Sequence, residues 1–162
     1  MSLAGFAGAS VGAVASDPQG ASLFVAVESP DVDGVVTLWT SADHGVSWRV
    51  GETLDPQNSL TSPHFVFDPA RPGAIYVHFR DDGSGSAIFR SADDSVAWQP
   101  LPAAPPAHDL VVSPDGTLLA ATDLGAVRSE DRGDTWIRSG CTLAPEARAS
   151  SPALTEATPS AR

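Results

Sequence analysis

The residues best equipped for chemistry are the aspartates, and they fall into two settings. The first is an eight-residue frame, Ser-x-Asp-x-Gly-x-Ser/Thr-Trp. It is clear at Ser41, Asp43, Gly45, Ser47 and Trp48, and again at Ser129, Asp131, Gly133, Thr135 and Trp136. A worn copy keeps Ser91, Asp93 and Trp98. An aspartate between hydroxyls has the makings of an acid–base centre or of a tightly bonded turn. The second setting is a scatter of loop aspartates: Asp31 and Asp33, Asp81 and Asp82, and Asp123. Paired carboxylates across a groove are the equipment of glycosidic hydrolysis, with their separation setting the stereochemical outcome. Solvated loop tips are the plainer reading of these residues.

Other chemistries find less support. Asp31-Val32-Asp33-Gly34 resembles part of a calcium loop, but it lacks the distal bidentate glutamate and flanking helices of an EF-hand. Ordinary turn chemistry accounts for it. His44, His64, His78 and His108 show no His-x-x-x-His spacing, and Cys141 is the only cysteine, so no thiolate cluster forms. His64 and Asp109 both start an apolar strand, at corresponding places in two repeats. There is no Walker loop, no dinucleotide fingerprint and no Ser-His-Asp order. Neither a metal nor a cofactor is expected.

The elements that must position these residues are strands. Three segments superimpose. Each opens with an apolar run and an Asp-Pro or Ser-Pro turn: Val11 to Ala15 before Asp17-Pro18, Phe65 to Phe67 before Asp68-Pro69, and Leu110 to Val112 before Ser113-Pro114. Proline fixes φ there and the short polar side chain bonds nearby backbone. A second strand follows: Ser22–Val27, Ala74–Phe79, Thr117–Ala121. A third leads into each frame: Val35–Thr40, Ala87–Arg90, Ala126–Arg128. A fourth leaves it with the tryptophan. Each unit therefore reads as four antiparallel strands joined by hairpins. The third unit is the compact one; the other two carry insertions between their second and third strands. Four-stranded units at periods of about 40 to 50 residues match propeller blades. The fold class expected is all-β, with about three four-stranded antiparallel β-propeller blades over residues 1–141. Residues 142–162, rich in Ala, Ser, Pro and Thr, read as a disordered tail.

Within the frame each residue has a turn-making task. Gly45 and Gly133 take positive φ at little cost. Asp43 and Asp131 accept bonds from turn amides, and the hydroxyls tie the two sides together. The tryptophans are expected to return into the layers between blades.

The frame resembles the Asp-box, or bacterial neuraminidase repeat, and the blade pattern around it is similar to sialidase-like β-propellers. That superfamily includes sialidases, other glycosidases, sortilin-type receptors and photosystem II assembly factors. The resemblance implies a structural turn remote from any active site, and an extracytoplasmic setting. The family's Phe/Tyr-Arg-Ile-Pro motif is absent, and Tyr76, the sole tyrosine, lies in a strand. Arg90 and Arg128 directly precede frame serines, a recurrent structural position in the family.

Composition narrows the partners. The formal net charge is −11, which repels phosphate backbones and anionic membranes. Nucleic acid and membrane are not expected partners. No apolar run is long enough to span a bilayer. Met1 to Ala15 lacks the basic start of a secretion signal, which leaves localisation open. The reading that results is a non-enzymatic propeller module binding a protein or glycan ligand. The alternative is a fragment or remnant of a secreted sialidase-like glycoside hydrolase. Three blades fall short of the roughly four to eight that close a ring, which leaves three expectations open: a piece of a longer propeller, a homo-oligomer completing the propeller, or an open arc capped by the tail.

Overall fold

The computed structural model describes residues 9–18, 20, 22–32, 34–56, 61–80, 86–92 and 97–140. Asp33, Asp81, Asp82, Asp93, Cys141 and the segment 142–162 lie outside the described residues. Twelve strands form three four-stranded antiparallel sheets, and no helix occurs among the described residues. Sheet 1 contains β1 (Val11–Ser16), β2 (Leu23–Glu28), β3 (Val36–Ser41) and β4 (Arg49–Leu54). Sheet 2 contains β5 (Thr61–Phe67), β6 (Ile75–Arg80), β7 (Ser86–Ser91) and β8 (Gln99–Pro100). Sheet 3 contains β9 (Asp109–Val112), β10 (Leu118–Thr122), β11 (Gly125–Ser129) and β12 (Ile137–Arg138). Each sheet is a simple meander in chain order.

Turn chemistry sets the first hairpin of each sheet. The Asp17 amide donates to the Ser22 carbonyl at 2.9 Å, Asp68 to Ala74 at 3.0 Å, and Ser113 to Thr117 at 2.9 Å. Asp68, almost fully buried, also accepts from the Ala70 amide at 2.9 Å. These are the Asp-Pro and Ser-Pro sites of the sequence.

The sheets pack face to face in order. Between sheets 1 and 2 lies an aromatic layer that includes Phe24, Leu38, Phe79, Phe89 and Trp98, with Phe65 and Phe67 against it. Phe24 sits with its ring centroid 5.9 Å from Phe65 and 5.6 Å from Phe67, and Phe79 meets Phe89 edge-on at 5.8 Å. Such pairs contribute about 0.5–1.5 kcal/mol beyond their buried area. Between sheets 2 and 3 the layer is mostly aliphatic: Ile88, Leu101, Leu110, Leu118 and Val127, with Tyr76. The first strands run side by side, β1 against β5 and β5 against β9. The sheets therefore fan out from their first strands.

One strand is longer than its sequence suggests. β5 starts at Thr61, ahead of Pro63, and its register shifts between Thr61 and Pro63, where Ser62 takes φ 57°. Proline has no amide to give a ladder, and a bulge on an edge strand is where it is tolerated. At the other edge β8 and β12 are only two residues long, which leaves little unpaired backbone to attract foreign strands.

Candidate functional site

The frame turns join the third strand of a sheet to its fourth. In the first, Ser41 ends β3 and is buried. Its Oγ accepts from the Gly45 amide at 2.8 Å and donates to Asp43 Oδ1 at 2.8 Å. Asp43 also accepts from the Ser47 amide at 2.8 Å and the Ser47 hydroxyl at 2.6 Å. The turn in sheet 3 repeats the set. Gly133 N–H donates to Ser129 Oγ at 2.7 Å, Ser129 Oγ to Asp131 at 2.7 Å, and the amide and hydroxyl of Thr135 to Asp131 at 2.8 and 2.5 Å. Two consecutive residues are left-handed in each turn: His44 (φ 57°) with Gly45 (φ 85°), and Arg132 (φ 66°) with Gly133 (φ 98°). Glycine takes this conformation without a Cβ penalty.

This geometry decides the chemistry of both carboxyls. The Ser47 hydroxyl, then its amide, then the Ser41 hydroxyl hold the Asp43 carboxyl down at about 2. Thr135 and Ser129 do the same to Asp131, also to about 2. A carboxylate with both oxygens engaged stays ionised near neutrality and has no proton to give. In the middle copy, Asp93 lies outside the described residues, while Ser91 and Trp98 are buried.

The tryptophans do not all occupy an inter-sheet layer. Trp98 is 6% exposed between sheets 1 and 2. Trp136 packs partly buried beside sheet 2 and donates from Nε1 to the Gly133 carbonyl at 3.1 Å. Trp48 instead lines an apolar groove of about 480 Å³ with Val14, Leu23 and Val25. Those residues point away from sheet 2, because they alternate with the residues of β1 and β2 that face it. No sheet precedes sheet 1 among the described residues, so the layer Trp48 would enter has only one wall.

The opposite end of the sheets carries the second-to-third-strand hairpins, the starts of the first strands, and the connection from β8 to β9. Here the structure gathers a polar cluster over sheets 2 and 3. His64 of β5 pairs across the ladder with His78 of β6. His78 is fully buried, and its Nε2 lies 3.0 Å from the Ala107 carbonyl. A carbonyl only accepts, so Nε2 carries the proton. Burial pushes the His78 pKa down against that bond; His64 lowers it further and Asp109 raises it. Ala107 N–H donates to Ser86 Oγ at 2.8 Å, and Arg80 Nη1 donates to the His108 carbonyl at 3.2 Å. His108 Nε2 meets Asp123 Oδ1 at 2.6 Å, with both side chains well exposed. The β8–β9 connection is thus clamped by one sheet from below and by the next from the side.

Of the residues singled out from sequence, His64, Asp109 and Asp123 fall in or beside this cluster. His64 and Asp109 are both exposed; Asp109 starts β9 and accepts from the Leu110 amide at 2.9 Å, whereas His64 sits in the middle of β5, because that strand begins three residues earlier than expected. Asp31 stands apart on the sheet 1 hairpin, its amide bonded to Ser29 Oγ at 3.3 Å. Asp33, Asp81 and Asp82 lie outside the described residues. His78, Arg80 and His108 are not singled out by the sequence: the two histidines show no metal spacing, and Arg80 reads as part of a hairpin insertion. A histidine inside the apolar run Ile75–Arg80 was the available signal, since a buried imidazole needs a partner. No group of three or more His, Cys, Asp or Glu among the described residues could hold a metal ion.

The candidates for sialidase-type chemistry are placed elsewhere. Tyr76 has no exposed surface, and its hydroxyl is buried without a hydrogen-bond partner. Burial, then the charge of Asp68, pushes its pKa up to about 12. Arg90 ties sheet 2 to sheet 3: its Nη1 donates to the Arg132 carbonyl at 2.9 Å and pairs with Asp134 at 3.0 Å. Arg128 pairs with Glu130 at 2.9 Å. A polar cleft of about 400 Å³ lies beside the first frame turn, lined by Thr40, Asp43, Ser47 and Arg49 among others. Its carboxylate is the one already held by the turn.

Four-stranded meanders stacked face to face, with their first strands side by side, have one architectural reading. They are β-propeller blades. No family model matches the sequence, and no curated protein matches it. Among solved structures the chain is similar to "YCF48 bound to D1 peptide", with 22% identity and a TM-score of 0.49. The match covers 80% of this chain and 40% of that one, so this chain spans less than half the length of that structure.

Proposed function

We propose that the chain is a non-enzymatic propeller module, built on Asp-box repeats, that binds a protein or glycan ligand through the blade end opposite the boxes. The division of polar groups between the two ends carries this reading. At the box end the carboxylates of Asp43 and Asp131 are fully engaged within their own turns. At the other end His64, His108, Asp109 and Asp123 are exposed on a backbone clamped by His78, Arg80 and Ser86. Exposed polar groups on a rigid support suit recognition. A sialidase-type nucleophile needs access to substrate, and Tyr76 has none.

The test uses the full chain immobilised against a glycan array and against a library of extended peptides. Binding to one class is expected, and it should weaken at least about tenfold in His64→Ala and Asp123→Ala, the loss of one or two polar contacts. A panel of fluorogenic aryl glycosides should not turn over. Turnover abolished by Asp31→Asn or Asp123→Asn would overturn the reading in favour of a hydrolase. Ligand capture that is indifferent to all four exposed residues would remove this end as the binding face.

A further inference from the structure

Each blade has a leading face, turned toward the next blade, and a trailing face. Within the chain a leading face packs on a trailing face twice: sheet 1 on sheet 2, then sheet 2 on sheet 3. The trailing face of sheet 1 and the leading face of sheet 3 are the two that no described sheet covers. Cross-strand registers show that they carry the same kinds of residue as their covered counterparts. Val14, opposite Val25, holds the place of Phe65 and Leu110. Leu110 is 3% exposed and Val14 is 72% exposed. On the leading side, Val111 holds the place of Val66, which packs into the second layer, yet Val111 is half exposed.

Exposed large apolar residues concentrate on these two surfaces. Val11, Val14 and Val50 lie on the trailing face of sheet 1, and Val111 and Ile137 on the leading face of sheet 3. The middle sheet contributes none among the described residues. The apolar groove beside Trp48 belongs to the first of the two surfaces.

We propose that these faces meet each other in a second copy of the chain. The leading face of sheet 3 of one protomer packs on the trailing face of sheet 1 of its partner, and a two-fold axis along the centre makes the reciprocal contact. The product is a closed ring of six blades, inside the usual range of about four to eight. The occupant is identified by the pairing the chain already makes twice. A polar tie supports the same register. Arg90, on the leading face of sheet 2, donates to the carbonyl of Arg132 in the next box. Arg128 holds the same place on sheet 3. The residue corresponding to Arg132 in the first box is His44, and it has the same left-handed backbone, φ 57° against 66°. Its carbonyl is therefore presented to Arg128 of a second copy as Arg132 presents its own to Arg90.

Light scattering on the full chain during size-exclusion chromatography tests this. The expected mass is twice the 16.7 kDa of one chain. The net charge of −11 per copy opposes pairing, so added salt should strengthen it. Val14→Asp and Val111→Asp should each give a monomer that still melts cooperatively, since both positions are exposed. Val50→Asp is the second trailing-face variant if Val14→Asp fails to fold. An equal mixture of the Val14 and Val111 variants should recover dimer, because one of its two junctions is intact. Leu124→Asp, at an exposed hairpin tip, should leave the mass unchanged. Arg128→Ala should raise the dissociation constant roughly tenfold. A monomeric wild type at all concentrations overturns the proposal. So does a dimer broken by Val14→Asp and untouched by Val111→Asp, which would mean sheet 1 pairs with itself.

Discussion

The first and third box turns make the same four hydrogen bonds and the same left-handed pair, yet they sit in different surroundings. Gly133 is buried, and a Cβ placed on it would lie 2.5 Å from Leu101 Cδ1 and 3.4 Å from Leu118 Cδ1. Gly45 is half-buried, and its Cβ would meet nothing closer than Leu23 at 3.5 Å and Trp48 at 3.7 Å. Leu101 comes from the connection that follows sheet 2, so the third box is pressed against the blade before it. The first box has no such blade among the described residues. The hydrogen bonds are local and travel with the eight-residue frame, whereas the packing is supplied by a neighbour. Two turns of one sequence pattern can therefore differ widely in what they contribute to stability.

The largest effect should come from the box tryptophan that is most enclosed. Trp98→Ala is expected to cost about 3–5 kcal/mol, the usual range for emptying a buried aromatic site. The tie between blades 1 and 2 made by the residue 98 backbone amide, which donates to Glu52 at 2.8 Å, is kept in this variant, so the loss reads the side chain. Trp48→Ala should cost clearly less in the monomeric chain. Denaturant melts of the two variants decide this, and equal losses would break the comparison.

The glycines give the next effect. Alanine in either box pays the left-handed Cβ penalty of roughly 1–2 kcal/mol. Gly133→Ala must in addition displace Leu101, so its loss should exceed that of Gly45→Ala by about 1 kcal/mol or more, as in other overpacked sites. The excess should shrink in a Leu101→Ala background, which a double-mutant cycle would measure.

How much of this was legible beforehand follows the same line between local and non-local. The turns at Asp17, Asp68 and Ser113 were readable because proline and a short polar side chain act on the residues beside them. The strands are readable from apolar runs such as Ser22–Val27 and Ala74–Phe79, each within one residue of the strand that forms. The start of β5 was not, because a proline ordinarily argues against a strand and only the bulge at Ser62 accommodates Pro63. The placement of Trp48 against Trp98 was also hidden. Both close the same frame, and only the packing order of the sheets shows that Trp98 has a blade before it while Trp48 has none among the described residues. At the opposite end, His108 and Asp123 meet because the β9–β10 pairing brings residue 108 beside the β10–β11 hairpin, and neither has a sequence neighbour that announces the other.

Acid should affect both boxes alike. The folded-state carboxyls of Asp43 and Asp131 titrate at about 2, below their ordinary value of 3.8. A depressed carboxyl stabilises the fold at pH above the unfolded value, and that contribution is lost as pH falls from about 4 through 2. Asp43→Asn and Asp131→Asn should each flatten the pH dependence of the melting temperature in that window, by similar amounts. An acid response carried by Asp131 alone would show that packing, rather than the local bonds, sets the carboxylate's environment.

The smallest effect sharpens the comparison most, because it isolates the part the two turns share. Ser47→Ala and Thr135→Ala each remove the hydroxyl that lies 2.6 or 2.5 Å from the box carboxylate. Both side chains are exposed, so neither change opens a cavity, and each leaves its backbone amide bonded to the same aspartate. The expected shift in denaturant midpoint is smaller than that of either glycine variant and equal in the two boxes. Each change should also raise the pKa of its aspartate, Asp43 or Asp131, since the lost hydroxyl is the leading cause of the depression in both. Carboxyl chemical shifts followed through an acid titration would read that rise residue by residue. A matched rise beside unequal glycine costs would separate what the frame encodes from what the neighbouring blade adds.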